Sequence, residues 1–546
     1  MFILQNLPGW APARNRIAWW DPGPFLRYVE SMSRLVRTTS QRLHPSSASG
    51  YTSLFPGAGE PEFLRAELGG DPGALTPGSG RTLLRLLHVT DMHIMDAGSP
   101  ARSDWVETRA SERKWLPLLH MARPHDLLAN WGSVAFGRAI AEHHDPADLV
   151  IFTGDNIDNA QRNELDAYLA IAGGGDFSFP YEGPQCSTWA ADTRSAGSEY
   201  HTPDGLWPFW LPDGGVADRF RGSHGFPTVP GLIEAAAASV TLTGVGVPWI
   251  SAMGNHDVMR QGTVFTTAEL EAIATGRWRA LGAPVGFDPD DPIGLYLNDP
   301  TLFSSGYPRF QVTAVPGRRA ITSAEFIRAH REGGAGGFGS DDSPDYTVDR
   351  ERVRIIVLDT NHPTGHYQGS VGLTQLAWLD DRLREWVGRP VVVASHHGSI
   401  ALENTFGDPV PTDRRLAADM EEVLLRYGNV VAWLVGHRHV NRIRPLANPD
   451  RSKPGLWEIT TASVIDYPCQ IRSVAIVEGA DGSIGVHTES LDHDAYVPSA
   501  SNLDATSLAA WHREIAFNTE RIHSGRESAR EGRPGDRNAF LALPPR

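Results

Sequence analysis

The sequence predicts an α/β fold, on three observations. Short apolar runs of strand length recur at 83–90, 148–153, 248–253, 352–360, 390–395 and 430–435, and they read as strands buried on both faces, as in parallel sheets. Amphipathic helical stretches lie between several of them, as βαβ units require. Five of the runs end in carboxylate, imidazole or amide side chains, and open α/β sheets place their ligands at the carboxyl ends of strands.

Taken in order, residues 1 to about 80 read as an N-terminal extension, with Gly, Pro and Ser concentrated at 45–50 and 71–80. The main domain is expected over 81–500. Its first strand, 83–90, runs into Asp91 and His93, and period-two alternation puts both side chains on one side of the backbone, in reach of one metal. Arg102, in the polar loop 96–102, reads as a solvated loop arginine, with contact to a phosphate as the sharper alternative. Helical patterns follow at 115–120 and 134–143. The strand 148–153 ends in Gly154, Asp155 and Asp158. Asp155 reads as a carboxylate able to bridge two metals, and Asp158 as a helix cap or a support for a ligand.

From 173 to 246 the pattern breaks. Phe177, Phe179, Tyr181, Trp189, Tyr200, Trp207, Phe209, Trp210, Phe220 and Phe226 fill a stretch that reads either as a lid over a pocket or as a packed surface subdomain. A short helix is expected at 233–240. The strand 248–253 then stops at Gly254, where a glycine lets the chain turn sharply. Asn255 offers a neutral carbonyl oxygen suited to a metal. His256 carries the side chain whose pKa suits proton transfer near neutrality. Asp257 can accept from its second ring nitrogen. Residues 258–350 form a second weakly patterned insertion. The strand 352–360 and a helix at 373–386, with Leu376, Leu379, Leu383 and Trp386 at helical spacing, precede the strand 390–395, which ends in His396 and His397. A helix at 419–427 leads to the strand 430–435, which ends in Gly436, His437, Arg438 and His439. Strands at 456–461 and 473–477 follow, and 501–546 reads as a C-terminal helix, 503–522, and a basic tail, 524–546.

Composition narrows the function. Of 546 residues, 49 are Lys or Arg and 65 are Asp or Glu, a net charge of −16. That balance argues against nucleic acid or an anionic membrane as the main partner, while bound metals can still hold a small anion. Cys186 and Cys469 make neither a disulfide framework nor a cysteine-rich metal site, so with 21 histidines any metal site is nitrogen- and oxygen-based. Residues 1–20 lack a basic segment followed by an apolar core, and no run of ~18 apolar residues appears, so neither signal peptide nor membrane span is expected and a cytoplasmic location is the default. Oligomeric state is not legible.

In this order the motifs D-x-H (Asp91, His93), G-D-x-x-D (Gly154, Asp155, Asp158), G-N-H-D (Gly254, Asn255, His256, Asp257), the His396–His397 pair and G-H-x-H (Gly436, His437, His439) resemble the calcineurin-like metallophosphoesterase family. The resemblance runs from about 83 to 439. It implies a four-layer α/β/β/α sandwich with two metal ions (Mn, Fe or Zn) at one edge. Carried over, Asp91, His93 and His439 hold the first metal, Asn255, His396 and His437 the second, and Asp155 bridges them. His396 is preferred to His397 because it is the first residue after its strand. His256 faces the substrate, with Asp257 as its orienting partner. The implied activity is hydrolysis of a phosphomonoester or phosphodiester in a small phosphorylated substrate, with an activated water attacking phosphorus and His256 assisting. The alternative is a catalytically weak scaffold of the same fold. Asp158 stands where purple acid phosphatases carry tyrosine. Asn159-Ala160 and Asp257 stand where protein Ser/Thr phosphatases carry Arg-Gly and Glu. Bacterial phosphomonoesterases and cyclic-nucleotide phosphodiesterases remain as neighbours.

Overall fold

The computed structural model describes residues 34–47, 50–71, 80–143, 147–189, 206–283, 286–306, 309–339, 342–407, 411–524 and 529–545. Residues 1–20, Tyr200 and most of 71–80 lie outside the described residues.

Two sheets carry the architecture. The smaller has six strands in the order Tyr346–Arg350, Val353–Leu358, Val391–Ser395, Val430–Val435, Leu456–Thr460 and Arg442–Leu446, with the middle four parallel. Period-two alternation sorts its side chains. Val353, Ile355, Val357, Val392 and Ala394 enter the core shared with the larger sheet, whereas Ile356, Leu358, Val391 and Val393 pack under the helices Leu373–Arg384 and Ala417–Leu425. All six residues of Val430–Val435 are buried, and each such aliphatic side chain contributes about 1.5–3 kcal/mol. A charge at Val393, which is fully buried, would break this layer.

The larger sheet has eight strands. Arg81–Val89, Leu149–Thr153 and Trp249–Ala252 are parallel neighbours in register, Leu86 opposite Leu149 and Val150 opposite Trp249. Ile471–Glu478, Ile484–His493 and Ala539–Leu543 extend it antiparallel from Arg81–Val89. Phe63–Arg65 and Leu35–Arg37 add to its far side. Helices Ala129–Ala141, Arg162–Gly173 and Ala505–Ser524 pack against it through Trp131, Leu165 and Leu508. The layers run helix, sheet, sheet, helix. Ala539–Leu543 lies within the segment read from sequence as a basic tail, and it forms a strand because all five of its side chains are buried against this sheet.

Six described rings of the first insertion are core, while Phe177, Phe179 and Tyr181 are partly buried against it. Trp189, Trp207 and Phe209 join Trp105, Trp115, Tyr296 and Phe303 in a satellite cluster, and Trp210, Phe220 and Phe226 join the central core. All are buried. Among the described residues, no helix is long and apolar enough to cross a membrane.

Candidate metal centre

The carboxyl ends of five strands meet at one place, three from the larger sheet and two from the smaller. Backbone hydrogen bonds join the turns: Asp91 N–H donates to Gly154 O at 3.1 Å, His93 N–H to Asp155 O at 2.9 Å, and Gly436 N–H to His396 O at 3.0 Å. The turns are too close for side chains at two positions. A Cβ on Gly254 would lie 2.1 Å from Asp155 N, and one on Gly436 would lie 2.0 Å from Thr90 Oγ1. Asp91, His93, Asp155, His437 and His439 all adopt positive φ, between 44° and 67°. That conformation is costly for residues with a Cβ and is concentrated at functional sites.

Six of the seven side chains expected as ligands form three overlapping groups. Asp91, His93 and His439 offer donor atoms within 4.8 Å of one another, as do Asp91, Asp155 and His396. The third group is His396, His397 and His437. His439 Nε2 is 3.1 Å from Asp91 Oδ1 and 3.3 Å from His93 Nε2. Asp155 Oδ2 is 3.1 Å from His396 Nε2 and 3.7 Å from His93 Nε2, so it lies between the clusters. The seventh side chain, Asn255, donates to Gly262 O at 2.9 Å, which leaves its buried Oδ1 without a hydrogen-bond partner.

Hydrogen bonds to the other ring nitrogens set the imidazoles. His93 Nδ1 faces Asp158 Oδ1 at 2.9 Å, His439 Nδ1 faces Asp466 Oδ2 at 2.6 Å, and His396 Nδ1 donates to Thr153 O at 2.8 Å. Each bond leaves Nε2 for the cluster. His396 Nε2 is buried and faces the Asp155 carboxylate at 3.1 Å. His397 differs: Nδ1 meets Thr360 Oγ1 at 2.9 Å and Nε2 meets Tyr367 O at 3.1 Å, so both nitrogens are engaged. His437 Nε2 meets Gln368 Oε1 at 3.2 Å, which leaves Nδ1. Converging carboxylate and imidazole donors without sulfur, with the unpartnered Asn255 Oδ1 on one of the turns, fit a pair of hard-to-borderline cations.

The electrostatics are matched across the cluster. Burial pushes the Asp155 carboxyl up, but His396 and His256 outweigh it and hold the group well below the usual carboxylate range. His396 is raised to about 9 against the effect of burial, by Asp155 and Asp91. Burial and the neighbouring His256 push His93 down to about 4.

The structure corrects two expectations. Asp257 does not orient His256. Its carboxylate accepts from the backbone N–H groups of Gly254, Asn156 and Ile157 at 2.7–3.1 Å and so ties the turn to its neighbour. Asp158 takes the orienting place: His256 Nδ1 is 2.9 Å from Asp158 O and 3.3 Å from Asp158 Oδ1. Burial acts against charge on His256, but Asp155 and Asp158 outweigh it and raise its pKa. Arg102 is neither solvated nor free for a phosphate. It is 1% exposed and neutralises Asp104 at 3.0 Å, Asp126 at 2.6 Å and Asp158, and that charge balance is what permits burial.

Sequence reasoning missed Asp466 and Gln368. Neither lies in a motif, and no periodic or spacing signal marks them.

The family model for calcineurin-like phosphoesterases matches residues 211–441, less than half of the chain. It includes Asn255, His256, His396, His437 and His439, while Asp91, His93 and Asp155 precede it. A cAMP/cGMP dual specificity phosphodiesterase of Mycobacterium tuberculosis is 37% identical over 87 residues, 16% of this chain and 26% of that protein. The chain thus spans about a quarter of the length of this curated relative. Among solved structures, a dimetal phosphatase from Danio rerio covers 76% of this chain and 97% of its own, at 12% identity and a TM-score of 0.31. A purple acid phosphatase from yellow lupin seeds covers 79% of this chain and 53% of its own, at 11% identity and a TM-score of 0.26. Residues 211–441 thus match a calcineurin-like phosphoesterase domain, and three of the five converging strand ends lie within the match.

Proposed function

We propose that the protein is a dinuclear metal-dependent hydrolase of phosphate esters. Asp91, His93 and His439 hold one ion, Asn255, His396 and His437 hold the other, and Asp155 reaches both. The observation that carries this reading is the set of overlapping donor groups, and the unpartnered, buried Asn255 Oδ1 supports it. The two engaged nitrogens of His397 support His396 as the ligand.

When bound, two such ions withdraw charge from phosphate oxygens and make water nucleophilic near neutral pH. The chain's own groups do the rest. Asp158 fixes the His256 ring by its backbone and carboxylate oxygens, which orients it to give a proton to the leaving-group oxygen. Asp257 holds the turn that bears Asn255 and His256.

The substrate class is a small phosphorylated molecule. The partial match to a cyclic-nucleotide phosphodiesterase places cAMP and cGMP in the first screen. The test is hydrolysis of p-nitrophenyl phosphate, its bis ester, cAMP and cGMP by Mn-loaded protein, with His256→Ala alongside. Cleavage of one ester, lost in His256→Ala, is the expected result. If metal-loaded protein cleaves none of them, nor any member of a wider phosphoester panel, the scaffold alternative stands instead.

A further inference from the structure

The loop after Leu456–Thr460 and the short helix Ala529–Glu531 lie outside every motif, yet the loop touches the cluster of donors and the helix touches the loop. Val464 N–H donates to Thr90 O at 3.2 Å and Ile465 N–H to Asp91 O at 3.3 Å, so the loop is laid along the first metal-bearing turn. The next residue, Asp466, is 5% exposed and joins three parts of the chain. Its Oδ2 accepts from His439 Nδ1 at 2.6 Å and is ion-paired with Arg530. Its Oδ1 accepts from Arg123 Nε at 2.9 Å, with His125 Nε2 3.4 Å away. Asn441 N–H donates to Arg530 O at 2.9 Å, so the same helix holds the chain just beyond His439 from the other side.

We propose that Asp466 is a positioning residue for the metal centre, and that Arg530 makes the C-terminal segment part of that centre by holding the Asp466 carboxylate against His439. The physical reason is tautomeric. An acceptor on Nδ1 fixes the proton there and turns the Nε2 lone pair towards Asp91 and His93, 3.1 and 3.3 Å away. A carboxylate with one side chain to satisfy could rotate away, but two arginines on opposite oxygens hold its plane. Arg530 comes from a segment far along the chain, so docking of that segment is read out at the ligand.

This inference rests on the proposed dinuclear site, but its test reads metal binding and not turnover. Mn and Zn are titrated into metal-free full-length chain by calorimetry, and bound metal per chain is counted after dialysis. Asp466→Asn should weaken the His439 site by about 10–100-fold, leaving near one ion per chain at concentrations that load two in the wild type. Arg530→Ala should give a smaller loss in the same site, and Arg530→Lys should recover part of it. Arg42→Ala cuts the neighbouring pair to Glu531 at 3.0 Å without touching Asp466, and should leave metal affinity unchanged. Circular dichroism of each metal-free variant checks folding. If Arg530→Ala fails to fold, Arg530→Gln and Asp466→Asn decide. Wild-type affinity and two ions in both Asp466→Asn and a folded Arg530 variant would overturn the proposal. Equal losses in Arg42→Ala would overturn it too, by reducing it to general stability. Absence of phosphoesterase activity in fully loaded wild type would instead count against the hydrolase reading and leave the positioning result standing.

Discussion

Replacing Asp158 by Asn keeps the side chain's shape and its backbone carbonyl, which is 2.9 Å from His256 Nδ1, and removes one negative charge shared by His93, His256 and Arg102. Arg102 keeps Asp104 and Asp126, so no buried cation is left bare. Two effects follow and can be separated. Through His93, loss of the carboxylate beside a ligating imidazole should weaken metal binding about 10–100-fold. At saturating metal, what remains is the effect on His256. Removing that ring outright, in His256→Ala, should cost about 10²–10⁴ in kcat. Loss of its ionic support alone should cost about tenfold to a hundredfold, or roughly 1.4–2.7 kcal/mol. Because Asp158 acts in turnover through the ring, the double variant should be no slower than His256→Ala. The assay is steady-state hydrolysis of the best ester from the panel, at metal concentrations shown to saturate each variant, arranged as a double-mutant cycle. If Asp158→Asn slows His256→Ala by the same factor as it slows the wild type, the carboxylate acts elsewhere and the pairing is refuted.

Asp155→Asn should lose both metals, because its Oδ2 lies between His396 and His93, whereas Asn255→Ala should lose mainly the second; metal counts per chain after dialysis distinguish the two, and full occupancy in Asp155→Asn contradicts the shared role. Arg102→Met removes the buried cation that Asp104, Asp126 and Asp158 share and should destabilise the chain by about 3–5 kcal/mol, seen as a lower urea midpoint, whereas a loss under ~1 kcal/mol would contradict a neutralising role. His330 is packed against Phe326, Tyr168, Trp249 and Phe338, and burial pushes its pKa down to about 3. Its folded pKa lies below the unfolded value, so its contribution is complete above about pH 6.5 and is lost as pH falls towards 3; at pH 5 the loss is about 2 kcal/mol. His330→Phe should flatten that part of the acid limb, measured as the difference in unfolding midpoints between pH 7 and pH 5, and an unchanged difference would show that the ring does not titrate as argued.

What the sequence revealed follows its physics. Strands buried on both faces are continuous apolar runs, and Val391–Ser395 and Val430–Val435 were legible to within a residue for that reason. The motif residues were legible because a strand end followed by a tight turn is a short-range feature. Ile484–His493 was not, since it buries Glu489, Ser490, Asp492 and His493, whose partners come from distant parts of the chain. Glu489 pairs with Arg37 and Asp492 with Gln470, and no local pattern encodes either. Asp257 illustrates the same limit. Adjacency to His256 suggested contact, but the turn sends the two side chains to opposite sides, one into backbone amides and the other towards Asp158. Asp158, three residues past Asp155, supports two imidazoles from separate strand ends, a relation only the fold creates.

The left-handed backbone at Asp91, His93, Asp155, His437 and His439 has a consequence for how this chain can change. Glycine would occupy each position with about 1–2 kcal/mol less strain, yet it offers no donor atom. The strain is held by what the side chains grip: Asp155 Oδ1 accepts from His256 N–H, Asp91 accepts from His437 N–H, and His439 Nδ1 meets Asp466, so glycine at any of these three would relax the backbone and leave a buried partner unmet at about 1–3 kcal/mol.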